Sequence, residues 1–343
     1  MSSSKVESKV EDLGRTRSGA IYADALVWDT HSGFMPTPSA DLQNLKIWRD
    51  AGVDYLSIDV GFDLMPWEHT VATLAAFRHW IREHPEEFAL AEGIEDVRRA
   101  KRDGKLAVTF DIEGMNALNG RVEMVEFYHR LGVRQMLFAY NRNNLAGGGC
   151  HDEDGGLTDF GRAVIREMNR VGMFVDVAHC GYRTSMEAME CSRDPVIFSH
   201  SNPRAVCDHE RNITDAQIKA CAASGGVIGV VGVNVFLGTG EVSAEALATH
   251  VEYLLKVAGW QHVGIGLDYA FSVPHSADMN ELVRANPQFW PPGRGYETPD
   301  IRFTPPTSLE ELADILLRRG HSEQTVRGVL GENFLRVAER VWK

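Results

Sequence analysis

Two histidines each close a short apolar run of the kind that forms a buried strand: Met173-Phe174-Val175-Asp176-Val177-Ala178-His179 and Pro195-Val196-Ile197-Phe198-Ser199-His200. A third run, Leu106-Ala107-Val108-Thr109-Phe110-Asp111-Ile112-Glu113, ends in a carboxylate, and His31 ends a fourth, Val27-Trp28-Asp29-Thr30-His31. Imidazoles and a carboxylate together make a site for a divalent metal such as zinc, whose bound water is a nucleophile at neutral pH. Chance supplies one or two such residues at strand ends. Four of them, His31, Glu113, His179 and His200, form a pattern. Asp268 closes a further run, Val263-Gly264-Ile265-Gly266-Leu267-Asp268, where an acid could move protons beside a metal or merely cap a helix.

Residues this far apart in sequence meet if the strands are parallel and their carboxyl ends share one face. Strand-like runs are Ala25–His31, Val53–Val60, Leu106–Glu113, Arg134–Asn141, Met173–His179, Val196–His200, Gly226–Asn234 and His262–Asp268. Helix-like segments lie between them: Asp41–Ala51, His69–Glu83 with Ile94–Asp103, Val122–Leu131, Thr158–Val171, Thr184–Cys191, Thr214–Ser224 and Ala244–Ala258. Thr158 and Thr214 stand where helix N-caps belong. Eight such repeats predict an α/β fold that closes as a (β/α)8 TIM barrel of the metal-dependent hydrolase type. The competing doubly wound sheet lacks a G-x-G-x-x-G after an early strand.

The alternation predicts one barrel domain over residues 19–343, preceded by a polar, flexible tail at 1–18. Residues 271–307 are rich in Pro and aromatics, including Phe289-Trp290-Pro291-Pro292-Gly293. They start at the chemical face, so they read as a lid or a homodimer contact, with a surface excursion on the barrel flank as the alternative. Ser308–Leu317 and Ser322–Val341 read as closing helices.

A net charge of -13 without a basic run argues against nucleic acid as a partner. No stretch approaches the ~18 apolar residues of a membrane span. Five cysteines, odd in number and without C-x-x-C spacing, follow a polar start with no apolar h-region, so reduced thiols in the cytoplasm are expected.

Motifs along most of the chain resemble the membrane (renal) dipeptidase family of zinc peptidases. They include Asp111-Ile112-Glu113-Gly114, Asn141-Arg142-Asn143-Asn144, Gly156-Leu157-Thr158-Asp159-Phe160-Gly161, Asp176-Val177-Ala178-His179, Phe198-Ser199-His200-Ser201-Asn202, Arg204 through Asn212, and Gly331-Glu332-Asn333-Phe334-Leu335-Arg336. The resemblance implies two zinc ions joined by Glu113, with His179 and His200 completing one position and His31 in the other. It also implies that Arg211 holds the substrate carboxylate, where composition alone would make it a surface partner of Asp208 or Glu210. Asp268 would carry a proton to the departing amine.

Two positions depart from the family pattern. Its first-strand His-x-Asp reads His31-Ser32-Gly33 here, and the histidine before its Asn-x-Asn segment is Tyr140. Glycine has no ligand atom, so one zinc is expected to bind tightly and the second position to be weak or absent, unless Asp29 or Asp268 turns inward. A phenol can donate to an oxyanion, so Tyr140 could keep the lost histidine's role in catalysis and substrate binding, or could simply pack. The expected function is a zinc-dependent hydrolase of dipeptides or similar small carboxylate-bearing amides. The alternatives are an enzyme of altered chemistry on the same barrel, acting on a modified amino acid or small-molecule intermediate with a single metal, and a binding protein that uses the old pocket.

Overall fold

The computed structural model of this chain describes residues 17–33, 36–270, 276–297 and 301–343. Its strands are β1 (Trp28–Ser32), β2 (Tyr55–Phe62), β3 (Phe88–Leu90), β4 (Leu106–Glu113), β5 (Val133–Leu137), β6 (Phe174–Asp176), β7 (Val196–Ile197), β8 (Ile228–Val230) and β9 (Val263–Ile265). They pair in parallel in the order β7-β6-β5-β4-β2-β1-β9-β8, and a parallel bridge between Phe198 and Ile228 joins the two ends into a ring. The fold is a (β/α)8 barrel. Each of its eight staves overlaps one of the apolar runs read from the sequence, with β1, β2 and β5 each extending one or two residues beyond its run. The ninth strand, β3, has only three residues, too few to show a period, and lies against the first half of β4.

Thr158 and Thr214 cap their helices through bonds from Gly161 N and Gln217 N, the second as a reciprocal capping box. The helix Arg17–Asp24 opens inside the stretch read as a tail; residues 1–16 lie outside the described residues. The single closing helix expected over Ser322–Val341 is broken into Glu323–Arg327, a π turn Gly328–Glu332 and Asn333–Val341. The break lies where Gly331 passes the backbone of β1. A Cβ there would stand 2.3 Å from Leu26 O.

The barrel interior is layered, and β4 displays the layers in order. Its alternate residues Leu106, Val108, Phe110 and Ile112 join the large apolar core beneath the helices, while Ala107 belongs to a second cluster with Trp28, Tyr55, Phe334 and Trp342 that forms the floor. Above that floor the inward positions turn polar: Thr109 meets the Tyr55 hydroxyl at 2.5 Å and Asp111 accepts from Ser57 Oγ at 2.5 Å. Glu113 ends the series at the mouth. In β1 the same alternation would turn His31 away from the interior, because Trp28 faces the floor and Thr30 bonds Gln135. An irregularity in the pairing with β2 between Asp29 and Ser32 re-aims it inward, as bulges beside active sites do.

Residues 271–307 are not structureless where described. They contain the helix Ser276–Ala285, and Val283, Trp290, Tyr296 and Ile301 pack with Phe62, Tyr140, Val231, Val233 and Phe236 in an apolar cluster over the mouth. Among the described residues no helix is long and apolar enough to cross a membrane.

Glycines make the last staves fit. A Cβ on Gly229 of β8 or on Gly266 just after β9 would lie 2.0 Å from the carbonyl oxygen of Ser199, the residue before His200. That neighbour is backbone and cannot swing aside. Gly229→Ala should therefore destabilise the fold by about 1–3 kcal/mol through overpacking. Gly155→Ala, where a Cβ meets nothing within 4 Å, should leave the melting temperature nearly unchanged. Thermal unfolding of the two variants, side by side, checks this.

Candidate metal centre

The strand ends bring all four expected ligands together. Nε2 of His31, His179 and His200 lie 3.6, 3.4 and 3.4 Å from Glu113 Oε1. The His179 and His200 Nε2 atoms are 2.9 Å apart, and the His31 and His200 rings stack with centroids 4.0 Å apart. All four residues are buried. Among the described residues neither Glu113 Oε1 nor His31 Nε2 has a hydrogen-bond partner.

Each imidazole is held from behind. His31 Nδ1 lies 3.0 Å from Asp111 Oδ1, His179 Nδ1 donates to Asn141 Oδ1 at 2.7 Å, and His200 Nδ1 lies 2.7 Å from Ser199 Oγ. Fixing Nδ1 on an oxygen leaves Nε2 to face the centre, which is how metal-ligating histidines are oriented. A tetrahedral zinc with ligands at about 2.0–2.2 Å spaces those ligands about 3.3–3.6 Å apart. The Glu113 distances match that spacing, so the residues fit a metal. The short His179–His200 approach would open by a few tenths of an ångström, within side-chain freedom.

The backbone is specialised at the same points. His179, Asn141 and Asp268 all have left-handed φ, at 59°, 60° and 56°. Such conformations in non-glycine residues cluster at functional sites. Asp176 braces the strand ends by accepting from both Ala178 N and Ser199 N at 3.0 Å.

The electrostatics ask for a cation. Burial pushes Glu113 well above the carboxylate range; His31 pulls the other way, and Asp59, Asp268 and Asp111 add to the rise. Burial would lower His31, but Asp111 and Glu113 hold it well above its ordinary value. His179 and His200 are lowered by burial first, then by Arg211 and His31, so both are neutral, the form that ligates. Asp59, one step below the mouth on β2, is also raised by burial and by Asp111.

Asp268 Oδ1 lies 3.5 Å from His31 Nε2, and its side chain is 19% exposed, facing the cavity. Asp29 does not turn inward: it accepts from Trp48 Nε1 and Leu267 N. Tyr140 stacks on His179 with centroids 4.3 Å apart and lines the same cavity. Burial, then Glu113 and Asp268, raise its pKa, so it remains a protonated phenol. The cavity walls are otherwise apolar, from Phe62, Val233, Phe236, Leu282, Trp290 and Phe303.

Arg211 lines a neighbouring, more polar cavity with Cys150, His151 and Glu210. The acids beside it in sequence are taken by others: Asp208 pairs with Arg204 and Glu210 with Arg294. Arg211 instead donates to Ser201 Oγ at 2.9 Å and to the His200 carbonyl at 2.7 Å. Its Nε is buried without a partner, and no carboxylate among the described residues lies within ion-pair distance. The two cavities share a wall in which the Tyr296 hydroxyl donates to His151 Nε2 at 2.8 Å. Burial, then His209, Arg211 and Arg294, lower His151 to about 3, which keeps it neutral as the acceptor.

Several residues at the centre carry no assigned role in the sequence reading. Asp111, Asn141 and Ser199 hold the imidazoles, and Asp59 adds charge. Period-2 alternation on β2 and β4 is the signal that would find the two aspartates, since each sits an even number of residues from an inward neighbour. Nothing local marks Asn141 as the partner of a histidine 38 residues away.

A sequence model of the membrane dipeptidase family, peptidase family M19, matches residues 32–286. An uncharacterized dipeptidase of Schizosaccharomyces pombe is 28% identical over 283 residues, covering 80% of this chain; the match spans 62% of that protein's length. Among solved structures, an amidohydrolase from Pseudomonas aeruginosa superposes with a TM-score of 0.86 at 29% identity, over 95% of this chain and 99% of the other. A Rhodobacter sphaeroides metallopeptidase liganded with a phosphinate mimic of the dipeptide L-Ala-D-Ala superposes at 0.73 with 21% identity, over 93% and 100%. With three-quarters of its length matched and its strand-end histidines and glutamate gathered at one mouth, this chain belongs to the membrane dipeptidase family, peptidase family M19.

Proposed function

We propose that this chain is a zinc-dependent hydrolase of dipeptides or similar small carboxylate-bearing amides, working in the cytoplasm, where its five unpaired thiols would stay reduced. The observation that carries the reading is the convergence of three imidazole Nε2 atoms on one buried, unpartnered carboxylate oxygen in a chain of the dipeptidase family. Glu113, His179 and His200 would hold the tightly bound zinc, which supplies an activated water and polarises a carbonyl.

The chain's own residues do the remaining work. Arg211 is a buried cation with no carboxylate among the described residues to neutralise it, which favours an anionic substrate group as its partner. Tyr140, kept protonated beside His179, can donate its O–H to the carbonyl oxygen as charge develops there. Asp268, at the cavity wall, can take a proton from the attacking water and pass it to the leaving amine. Trp290, Leu282 and Phe236 exclude water and favour an apolar side chain.

A second reading, altered chemistry on the same barrel, draws on Tyr140 and Gly33, where the family pattern has His and Asp. Turnover of a panel of free-acid dipeptides by the zinc-loaded protein separates the two. Hydrolysis supports the first reading, and zinc binding without hydrolysis of any dipeptide supports the second.

Arg211→Met should raise KM for free-acid substrates about ten- to a hundredfold, the equivalent of one charge-assisted hydrogen bond at about 1.5–3 kcal/mol, with zinc content unchanged. Equal loss on amidated substrates would assign Arg211 to structure. Tyr140→Phe should lower kcat about a hundredfold or more at nearly constant KM. An unchanged kcat would make Tyr140 a packing aromatic.

A further inference from the structure

The two cavities at the mouth differ in size as well as in polarity. The one over the candidate metal centre holds about 70 Å3, with Glu113, Tyr140, His179 and Asp268 at one end and apolar walls elsewhere. The one that Arg211 lines holds about 460 Å3, with polar walls that include His151, Asp152, Glu210 and Thr214. Where one water needs about 10–15 Å3, the first cavity admits roughly five to seven water-sized groups and the second about thirty or more. An alanyl unit, with its nitrogen, two aliphatic carbons and carbonyl, fits the first. A leucyl unit does not.

Tyr296 makes the division. Its buried ring lines the apolar cavity, and its hydroxyl donates at 2.8 Å to Nε2 of His151, which lines the polar one. His151, His209 and Phe236 meet the ring edge-on, with centroids 5.6, 5.5 and 6.3 Å away. Behind it, Glu210 pairs with Arg294 and its Oε2 lies 3.3 Å from His151 Nδ1, so Nδ1 carries the imidazole proton and Nε2 accepts. The backbone beside Tyr296 is fastened to the loop of Arg211: His209 Nδ1 accepts from Arg211 N at 3.0 Å, and its Nε2–H donates to Arg294 O at 2.6 Å. A longer side chain could displace Tyr296 only by breaking these bonds.

The chemistry of a dipeptide decides which residue enters which cavity. Its α-carboxylate belongs to the residue that leaves as the amine, so a carboxylate on Arg211 directs that residue's side chain into the polar cavity. The scissile carbonyl belongs to the other residue and has to reach the end where Glu113, Tyr140 and His179 stand, which leaves its side chain the apolar cavity. We propose that the substrates are glycyl or alanyl dipeptides with a polar, long carboxy-terminal residue, and that Tyr296 is the residue that sets this division. The proposal rests on the reading of the site as a hydrolytic centre with Arg211 as its carboxylate clamp.

The test is turnover of four free-acid dipeptides, Ala-Ala, Ala-Gln, Leu-Ala and Leu-Gln, by the zinc-loaded full-length protein. Lengthening the carboxy-terminal residue from Ala to Gln should leave kcat/KM undiminished, whereas lengthening the amino-terminal one from Ala to Leu should lower it about tenfold or more, the scale on which a pocket discriminates added methylenes. Tyr296→Ala, which removes the wall, should narrow the gap between Leu-Ala and Ala-Ala about tenfold. Leu282→Ala enlarges the same cavity from the roof helix and should narrow it in the same direction, which keeps the test independent of how well either variant folds. Hydrolysis of all four dipeptides at similar rates by wild type would overturn the proposal while leaving the hydrolytic reading intact. So would a tenfold loss on going from Ala-Ala to Ala-Gln, or a gap unchanged in both variants when they are folded and zinc-loaded. Zinc-loaded wild type that cleaves none of the four would overturn the proposal and the reading beneath it.

Discussion

A buried carboxylate that the protein does not satisfy is the constraint around which this structure is arranged. Desolvating a carboxylate costs several kcal/mol even after relaxation, and Glu113 Oε1 receives no hydrogen bond in return among the described residues. Three imidazoles point their Nε2 atoms at it, and Asp59, Asp111 and Asp268 add negative charge around it. Within the cluster no imidazole closes a hydrogen bond to it, since each Nδ1 is bonded to another oxygen and each Nε2 stands 3.4 to 3.6 Å away. A divalent cation satisfies the oxygen, the nitrogens and the charge together. The polar middle layer of the barrel, the bulge in β1 and the left-handed backbone at Asn141, His179 and Asp268 then have one purpose, to hold those atoms in place.

The mouth above this centre has two characters. Over the candidate ligands the segment after β9 lays Trp290, Tyr296 and Val283 against Phe236 and Val233, making an apolar roof. Beside it, Arg211 lines a polar cavity in which Asp152 and Glu210 are paired with Arg142 and Arg294. The roof is tied down by polar bonds at its rim: Asn141 and Arg142 donate to the carbonyls of Phe289 and Gln288, and Tyr296 donates to His151. Asn141 therefore joins the roof to the metal centre, because its Oδ1 also receives His179 Nδ1–H.

The barrel and the four residues gathered at its mouth were legible in the sequence because fully buried parallel strands leave apolar runs, and a polar residue at the end of such a run is conspicuous. Other features had no such signature. The inward turn of His31 depends on a pairing irregularity between β1 and β2 that no pattern within β1 reveals. The helix Ser276–Ala285 is polar enough to pass for loop, and β3 is too short to show alternation. Arg211 has acids one and three residues away, so its neighbours in sequence suggested the wrong partners; chain folding assigns those acids to Arg204 and Arg294. Asp268 and Gly33 are 235 positions apart, and that a Cβ on Gly33 would stand 1.9 Å from Asp268 Oδ1 is a fact of three-dimensional space alone.

The most direct test of this account is the position of the metal itself. Crystals of the protein carrying only the zinc that survives dialysis should give, at the zinc absorption edge, one strong anomalous peak between Glu113 Oε1 and the Nε2 atoms of His179 and His200. A peak at any other group, or none in crystals whose protein retains zinc in solution, would contradict it.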